Sequence, residues 1–477
     1  MNPLAFILGI PVLAALLFAI IPSYKVAARL NVLASLLTFG ASLVPFFARP
    51  ATTAFFLIDD FNIYLLALTA FVALTTSFFS AGYILHEIAV GRLEARYVRF
   101  YHSMFQGFIF TMLLALSANN LGVMWVAVEG ATLTTVLMVG LYRTPAALEA
   151  SWKYFILCGV GIALALFGTT LMYLAAEPVV GAGLPAMTWS ALLPEVAHFS
   201  PAILNLAFVF LLVGYGTKVG LAPLHAWLPD AHAEGPTPIS AVLSGLLLNV
   251  ALYAVLRFKI LLAGNPQAIA PGPLMIAMGL SSLLLASFML YRRRDIKRLF
   301  AYSSIEHMGI ITFAFGMGGA LANFAGLLHM TMHSLTKSAI FFSVGNITQI
   351  KGTQRIADIR GLTASQPLLG WALVVGVASI AGLPPFGVFM SEFLVVSSTF
   401  ARAPLLAVPL IIGLLVSFGA LMLRLQGLAF GPGEGGERAS PTALAPFAVH
   451  LALVLAAGLY LPAALVSWFQ NVARLLG

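Results

Sequence analysis

A single cysteine, Cys158, is all the thiol chemistry this 477-residue chain carries. That excludes a disulfide framework, a CxxC pair and an iron–sulfur cluster held by cysteines. No GxGxxG follows a strand-like run, so a nicotinamide or flavin site has no support, and HExxH is absent as well. No cofactor is expected on the chain, and any redox chemistry coupled to it belongs on another subunit. Charge is the second scarcity. Asp, Glu, Lys and Arg make up 8% of the residues, where a soluble domain carries roughly 25%. No polar block is large enough to be a soluble domain. Nothing alternates with period two over ten-residue strands, which excludes a membrane β-barrel.

What fills the chain instead is apolar: 61% of residues are hydrophobic, and the mean hydropathy is +1.01. A bilayer core of about 30 Å takes roughly 20 apolar helical residues. Runs of that kind lie at 2–21, 26–47, 63–85, 103–118, 121–141, 153–176, 203–222, 238–258, 273–291, 301–318, 322–347, 368–398, 404–428 and 442–469. The expected fold is an all-α integral membrane protein of about fourteen spans. Lys25 and Arg29 follow the first run rather than precede it, so that run reads as a span and not as a cleaved signal.

The net charge of +8 raises nucleic acid as a partner, but the cations are placed as topology signals. One set of loops holds Lys25, Arg29, Arg92, Arg96, Arg99, Arg143, Lys153, Arg292, Arg293, Arg294, Lys297, Arg298, Lys351, Arg355, Arg360, Arg424 and Arg438. The other holds Arg49, Arg257, Lys259, Arg402 and Arg474. That division is 17 to 5, with Lys218 and Lys337 inside spans, and it accounts for all 24. The positive-inside rule puts the rich side in the cytoplasm and both termini on the outer, periplasmic side of an inner (plasma) membrane. The partner expected for the surface is lipid, with no nucleic acid.

Two stretches interrupt the helices. Gly220–Pro238 follows the seventh run and holds prolines 223, 229, 236 and 238; Gly382–Gly387 (GLPPFG) lies inside the twelfth. Proline removes a backbone donor and blocks the helix. Free backbone groups at membrane depth are tolerated only inside protein or along a wet cavity. Breaks five spans apart are what related repeats, spans four to eight and nine to thirteen, would give, and such breaks point to a transport site.

Ionisable residues inside the spans mark the same region. Glu129 lies near the middle of span five and Lys218 just before the first break. Span eleven carries His329, His333 and Lys337 at intervals of four, one helix face about 12 Å long. Glu392 follows the second break. A charge at the centre of a helix costs about 2.5–3.5 kcal/mol, so such residues persist when they pair, face water or titrate. Opposite charges about 6 Å apart at an effective dielectric of about 20 interact by roughly 3 kcal/mol. A modest change of separation can then move a proton, and histidine suits the relay. Metal binding is the rival reading for His329 and His333, though Lys337, a cation, occupies the next step of the row.

The string TKVGLAPLHAWLPDAH at Thr217–His232, continued by Pro236, Thr237 and Pro238, together with AYSSIEHMG at Ala301–Gly309, resembles the antiporter-like proton-channel subunits of respiratory complex I. That family includes Mrp cation/proton antiporter subunits and the membrane arms of nickel–iron hydrogenases. The resemblance runs over roughly residues 60–425. It implies fourteen helices with two inverted five-helix repeats and discontinuous helices seven and twelve. The division is then 1–100 for helices one to three, 101–262 for the first repeat, 263–430 for the second and 431–477 for helix fourteen. It implies a Glu129–Lys218 pair, a relay of His329, His333 and Lys337, and Glu392 on the exit side. His225 joins this proton pathway, with Asp230, His232, Asn249, Glu306, His307 and Lys153 as possible further relay groups. It also implies other membrane-arm subunits and a peripheral redox module as partners, which would carry the nickel–iron centre and the iron–sulfur clusters.

Two departures refine the resemblance. Relatives often place a lysine on helix eight, where this chain has Asn249, a neutral amide that takes up no proton near pH 7. Either waters with His329 and His333 bridge that gap, or the chain conducts differently. Glu306 before His307, and WVAVEGATLTT at Trp125–Thr135, look like the hydrogenase branch. Three functions stay open: a proton-translocating, non-redox subunit of a hydrogenase-type or complex I-like assembly, a subunit of an Mrp-type sodium/proton antiporter, or a non-conducting scaffold for a peripheral enzyme.

Overall fold

The computed structural model describes residues 3–433 and 441–477. Asn2, in the first apolar run, and Arg438, counted among the rich-side cations, lie outside the described residues. The main helices are α1 (Pro3–Ile20), α2 (Tyr24–Leu43), α3 (Asp60–Ala89), α4 (Tyr101–Ser117), α5 (Leu121–Val139), α6 (Pro145–Val180), α7 (Pro201–Val219) and α8 (Trp227–Glu234). There follow α9 (Thr237–Ala263), α10 (Gly272–Leu290), α11 (Ile296–Met317), α12 (Gly319–Lys351), α13 (Pro367–Ile380), α14 (Gly387–Arg402), α15 (Pro404–Ala429), α16 (Ala445–Leu459) and α17 (Ala463–Leu475). The described residues hold no strand, only three isolated β-bridges between loops.

Twelve of the fourteen apolar runs each fall on one of these helices; 368–398 is divided between α13 and α14, and 442–469 between α16 and α17. Among the described residues nine helices are long and apolar enough to cross a membrane, or ten with the bent pair α16–α17. Helices α11 and α12, of 22 and 33 residues, are long enough but too polar for that test. Nearly all of their residues are nonetheless buried, because other helices rather than lipid surround them. The outer helices show the opposite pattern: Leu13 on α1, Leu137 on α5 and Leu405 on α15 are exposed, an apolar surface suited to lipid.

Side chains settle the helix ends. Asp59 accepts from the Phe61 and Asn62 amides, and Asn62 accepts from the Asp59 amide, a capping box that starts α3. Asn120 caps α5 and Thr144 caps α6. Asp59 is also paired with Arg257 of α9 at 2.7 Å. Burial pushes the Asp59 carboxyl up, but the Arg257 charge, its hydrogen bond and two backbone donors outweigh it and hold the group below its ordinary value. Arg257, Lys259 and Lys297, read above as loop cations, are buried. Lys259 donates to the Leu476 carbonyl at 2.7 Å, and Lys297 to the carbonyls of Ala233 and Gly235 at 3.0 and 2.5 Å. These three fasten helices together, and the asymmetry survives without them.

The two breaks share one construction. At the end of α7, the Gly220 amide donates to Thr217 O and the Leu221 amide to Gly216 O; at the end of α13, Gly382 donates to Ser379 O and Leu383 to Ala378 O. Both are Schellman ends, with glycine at φ +81° and +69°. A cis X-Pro bond follows in each, Ala222–Pro223 and Pro384–Pro385. The first break is not one long irregular stretch, since the short helix α8 forms inside it. Helix α9 then carries a π-helical turn at Leu243–Leu247, whose freed Gly245 carbonyl accepts from Ser334 of α12 at 2.5 Å. The run expected at 442–469 departs furthest from expectation. It bends by 83° between Leu459 and Ala463, because Pro462 opens a new helix there and its missing donor ends the old one.

Candidate functional site

Glu129 and Lys218 approach each other as expected, but through a third residue. Lys218, fully buried at the end of α7, donates from Nζ to Thr132 Oγ1. Thr132 Oγ1 in turn donates to Glu129 Oε2 at 3.0 Å. The pair read from the sequence is therefore a carboxylate–hydroxyl–ammonium chain. Thr132 stands three residues after Glu129, on the same face of α5, and that spacing was the signal that could have found it. Tyr154 lies beneath the ammonium, 5.3 Å from ring centroid to Nζ. Trp227 of α8 also donates to the Thr217 carbonyl, at 2.8 Å, fixing the broken end on which Lys218 sits.

The second group gathers around His307 of α11, which the sequence placed only among possible relay residues. His307 Nδ1 and His329 Nε2 are 2.9 Å apart, and His329 Nδ1 meets Ser391 Oγ at 2.9 Å. Ser391 gives its single proton to Val388 O at 2.8 Å, so it accepts from His329 Nδ1–H. With neutral rings, His329 Nε2 then accepts from His307 Nδ1–H, and His307 Nε2 is left as a bare acceptor. That atom has no hydrogen-bond partner among the described residues. Glu392 Oε1 lies 3.9 Å from His307 Nδ1, with the carboxylate 13% exposed and the imidazole 1%. Glu306, buried, accepts from Ser417 of α15 at 2.5 Å through Oε1.

The row on α12 is only partly a row. The His333 ring centroid lies 5.8 Å from that of His307, and neither of its nitrogens has a partner among the described residues. Lys337 bonds to neither histidine and donates to the Phe300 carbonyl of α11 at 3.0 Å. Sequence spacing put the three on one face, but contacts with the facing helix divide them. Asn249 sits where they meet α9, donating to Met330 O at 3.0 Å and Ser334 Oγ at 2.6 Å. It clamps the π-helical turn region of α9 to α12, and its own carbonyl oxygen has no partner among the described residues.

The remaining expected residues lie elsewhere. His232 is buried in α8 with its ring stacked on Phe341 at 5.0 Å. His225, half-buried, faces Tyr302 at 6.4 Å between centroids. Lys153 pairs with Glu149 at 2.6 Å and Asp230 at 3.2 Å, and Arg298 reaches Asp230 and Glu234 at 3.2 and 3.0 Å. Lys153 and Arg298 are well exposed, so this is a rim network that pins α8 rather than part of the buried row. One acid escaped the sequence reading altogether. Glu87, near the end of α3, is 1% exposed and accepts from Tyr142 and Gln349 at 2.9 and 2.8 Å. It stands a few residues from Arg92, where it reads as a loop charge.

His307, His329 and Glu392 each bring one possible metal-ligand atom within 4.8 Å of the others. That trio differs from the His329–His333 pair the spacing offered. Of their imidazole nitrogens, His307 Nδ1 and both nitrogens of His329 are engaged with each other and with Ser391, and His307 Nε2 has no hydrogen-bond partner among the described residues.

Glycine is needed where the second break meets Glu392. Gly382 has φ +69°, and a Cβ there would collide with the Glu392 carboxylate. Gly382→Ala is expected to destabilise the protein by at least about 1–2 kcal/mol, read as a lower thermal midpoint in detergent. Gly427→Ala, where a Cβ meets nothing within 4 Å, serves as the neutral control.

Comparison with known proteins gives a consistent result. The family described as NADH:quinone oxidoreductase/Mrp antiporter, transmembrane, matches residues 118–418. A Hydrogenase-4 component F homolog from Methylacidiphilum infernorum is 60% identical over 472 residues, 99% of this chain and 99% of that one. Among solved structures, a chain of the membrane-bound sulfane sulfur reductase, an archaeal respiratory membrane complex, superposes with a TM-score of 0.88 at 21% identity, covering 99% of this chain and 97% of that one. A chain of respiratory complex I from Thermus thermophilus with bound NADH gives 0.83 at 22% identity, with 100% of both chains covered. At those identities the two structures establish the shared fold.

Proposed function

This chain belongs to the NADH:quinone oxidoreductase/Mrp antiporter family of membrane subunits, and on that premise we propose that it is the non-redox, proton-translocating subunit of a hydrogenase-type complex. The observation that carries the reading is the buried, hydrogen-bonded junction of His307 with His329, flanked by Glu306, His333, Lys337 and Glu392. Ionisable groups at that depth are expensive, and here they touch in an order that can pass a proton.

The Glu129–Thr132–Lys218 chain acts as the switch. While the ammonium is held through Thr132, its charge is balanced by Glu129. Drawing the two apart removes that balance and releases a proton from Lys218 towards the centre of the protein. Asn249 holds α9 against α12 and lends its free carbonyl oxygen to water beside His333, so water and imidazole do the work of a titratable residue on α9. His307 and His329 then hand the proton on, and Glu392, the partly exposed member, discharges it.

In the same reading the chain has fourteen spans in an inner membrane, with both termini periplasmic and spans four to eight and nine to thirteen as inverted repeats. The matching Schellman ends of α7 and α13 support the repeats. The nickel–iron centre and iron–sulfur clusters reside on partner subunits in a peripheral redox module. Mass spectrometry of the complex purified through this chain should find hydrogenase-type subunits; finding Mrp-type antiporter subunits alone would overturn the assignment. The clamp made by Asn249 favours one second reading, a non-conducting scaffold, which the histidine substitutions argued in the Discussion separate from this one.

Topology has its own test. A reporter active only in the cytoplasm should be silent when fused after Gly477 and active when inserted near Arg294. A signal from the C-terminal fusion would reverse the sidedness.

A further inference from the structure

Glu87 is the buried carboxylate that the pathway above does not use, and its surroundings form a chain of hydroxyls. Tyr142 donates to Glu87 Oε2 at 2.9 Å, the Tyr142 and Tyr83 hydroxyls lie 3.2 Å apart, and Thr237 donates to the Tyr83 hydroxyl at 3.2 Å. Gln349 of α12 holds the other carboxylate oxygen at 2.8 Å. The outer end of the chain lies at the ends of α3, α5 and α12, beside Arg92, Arg143 and Lys351, all on the side rich in basic residues. The inner end, Thr237, is the first residue of α9 after the first break. There Lys297 is anchored on the Ala233 and Gly235 carbonyls. His232, with both ring nitrogens unpartnered among the described residues, stacks on Phe341 of α12, one helical turn beyond Lys337.

We propose that Glu87 collects protons on the basic, cytoplasmic face and delivers them through Tyr142, Tyr83 and Thr237 to the buried histidines and Lys337. The inference rests on the proton-translocating reading above. The step balances atom by atom. Protonated Glu87 gives its proton to the Tyr142 oxygen while Tyr142 gives its own to Tyr83, Tyr83 to Thr237, and Thr237 to the unpartnered imidazole of His232 at the break, which becomes imidazolium. Four O–H bonds break, on Glu87, Tyr142, Tyr83 and Thr237; three O–H bonds form, on Tyr142, Tyr83 and Thr237, and one N–H bond forms on the accepting imidazole, and no oxidant or reductant takes part. Thr237 donating towards Tyr83, and Tyr142 towards Glu87, is the orientation left after a proton has moved inward; rotation of the hydroxyls resets it. An ion pair with Arg92 is a weak alternative reason for burying this acid. Their contact is 3.5 Å, and Arg92 is 42% exposed, where solvent screens most of the interaction.

The test compares turnover-driven proton uptake in sealed vesicles containing the intact complex, normalised to complex content. Glu87→Gln and, separately, Tyr142→Phe are expected to slow uptake at least about tenfold, and Glu87→Asp to recover part of the rate. Arg92→Gln is expected to leave the rate within about twofold. Tyr142→Phe keeps the ring and its packing, so it tests the wire even where Glu87→Gln assembles poorly. The His329→Gln/His333→Gln double variant is run alongside. Uptake lost in the double variant but normal in Glu87→Gln and Tyr142→Phe would overturn this inference alone. Uptake normal in all of them would overturn the proton-translocating reading and this inference with it. Equal loss in Arg92→Gln and Glu87→Gln would mark a structural ion pair and overturn the intake role.

Discussion

Vesicles carrying the His329→Gln/His333→Gln variant are expected to lose turnover-driven proton uptake by roughly a hundredfold, the lower end of what a positioned acid–base group contributes. Glutamine keeps a hydrogen-bonding side chain of similar reach but takes up no proton near pH 7. At position 329 it can still meet Ser391 and His307, which His329 joins at 2.9 Å on either side. Packing is thus largely preserved and transfer is not. At position 333 the imidazole makes no hydrogen bond among the described residues, so its replacement removes titration and little else. The scaffold reading expects unchanged uptake with some change in stability, which blotting for complex content reveals. Normal uptake from a fully assembled double variant would rule out the central relay.

Lys218→Arg is expected to stop uptake as completely, although the charge is retained. A guanidinium is effectively never deprotonated, so it can hold Glu129 through Thr132 but cannot release a proton. The site is also tight. Lys218 is fully buried, with its head group against Thr132 and the Tyr154 ring, so the larger guanidinium has little room. Glu129→Gln separates charge from size, since it leaves the Thr132 contact possible while removing the counter-charge, and most uptake should go with it. Thr132→Val, which keeps the shape and deletes the hydroxyl, removes two hydrogen bonds worth about 1 kcal/mol each. That predicts a fall of about thirtyfold. Uptake of wild-type rate in Thr132→Val would mean that Glu129 and Lys218 act without the bridge. All three variants are read in the same sealed-vesicle assay, with redox turnover measured on the same samples.

Much of this protein is legible in its sequence because the membrane imposes rules on single segments. A helix must satisfy its own backbone bonds and present an apolar surface of fixed length. Fourteen runs could therefore be read, and twelve of them each fall on a single helix while two are divided between two. Gly220 with Pro223 and Gly382 with Pro384 announce the breaks, because proline cannot continue a helix and glycine accepts the left-handed turn that ends it. The cost of burying charge singled out Glu129, Lys218, His329, His333, Lys337 and Glu392 without any knowledge of their neighbours. Partners are another matter. Which residue meets which depends on the rotation and rise of separate helices, and no periodicity within one helix encodes that. Only the folded chain brings His307 of α11 against His329 of α12, turns Lys337 to a carbonyl, and uses Asn249 as a clamp between α9 and α12. Only there does Glu87, a loop charge by its sequence, become a buried acid at the head of a tyrosine chain. The sequence determined which groups cannot rest in lipid; tertiary packing decided which of them touch.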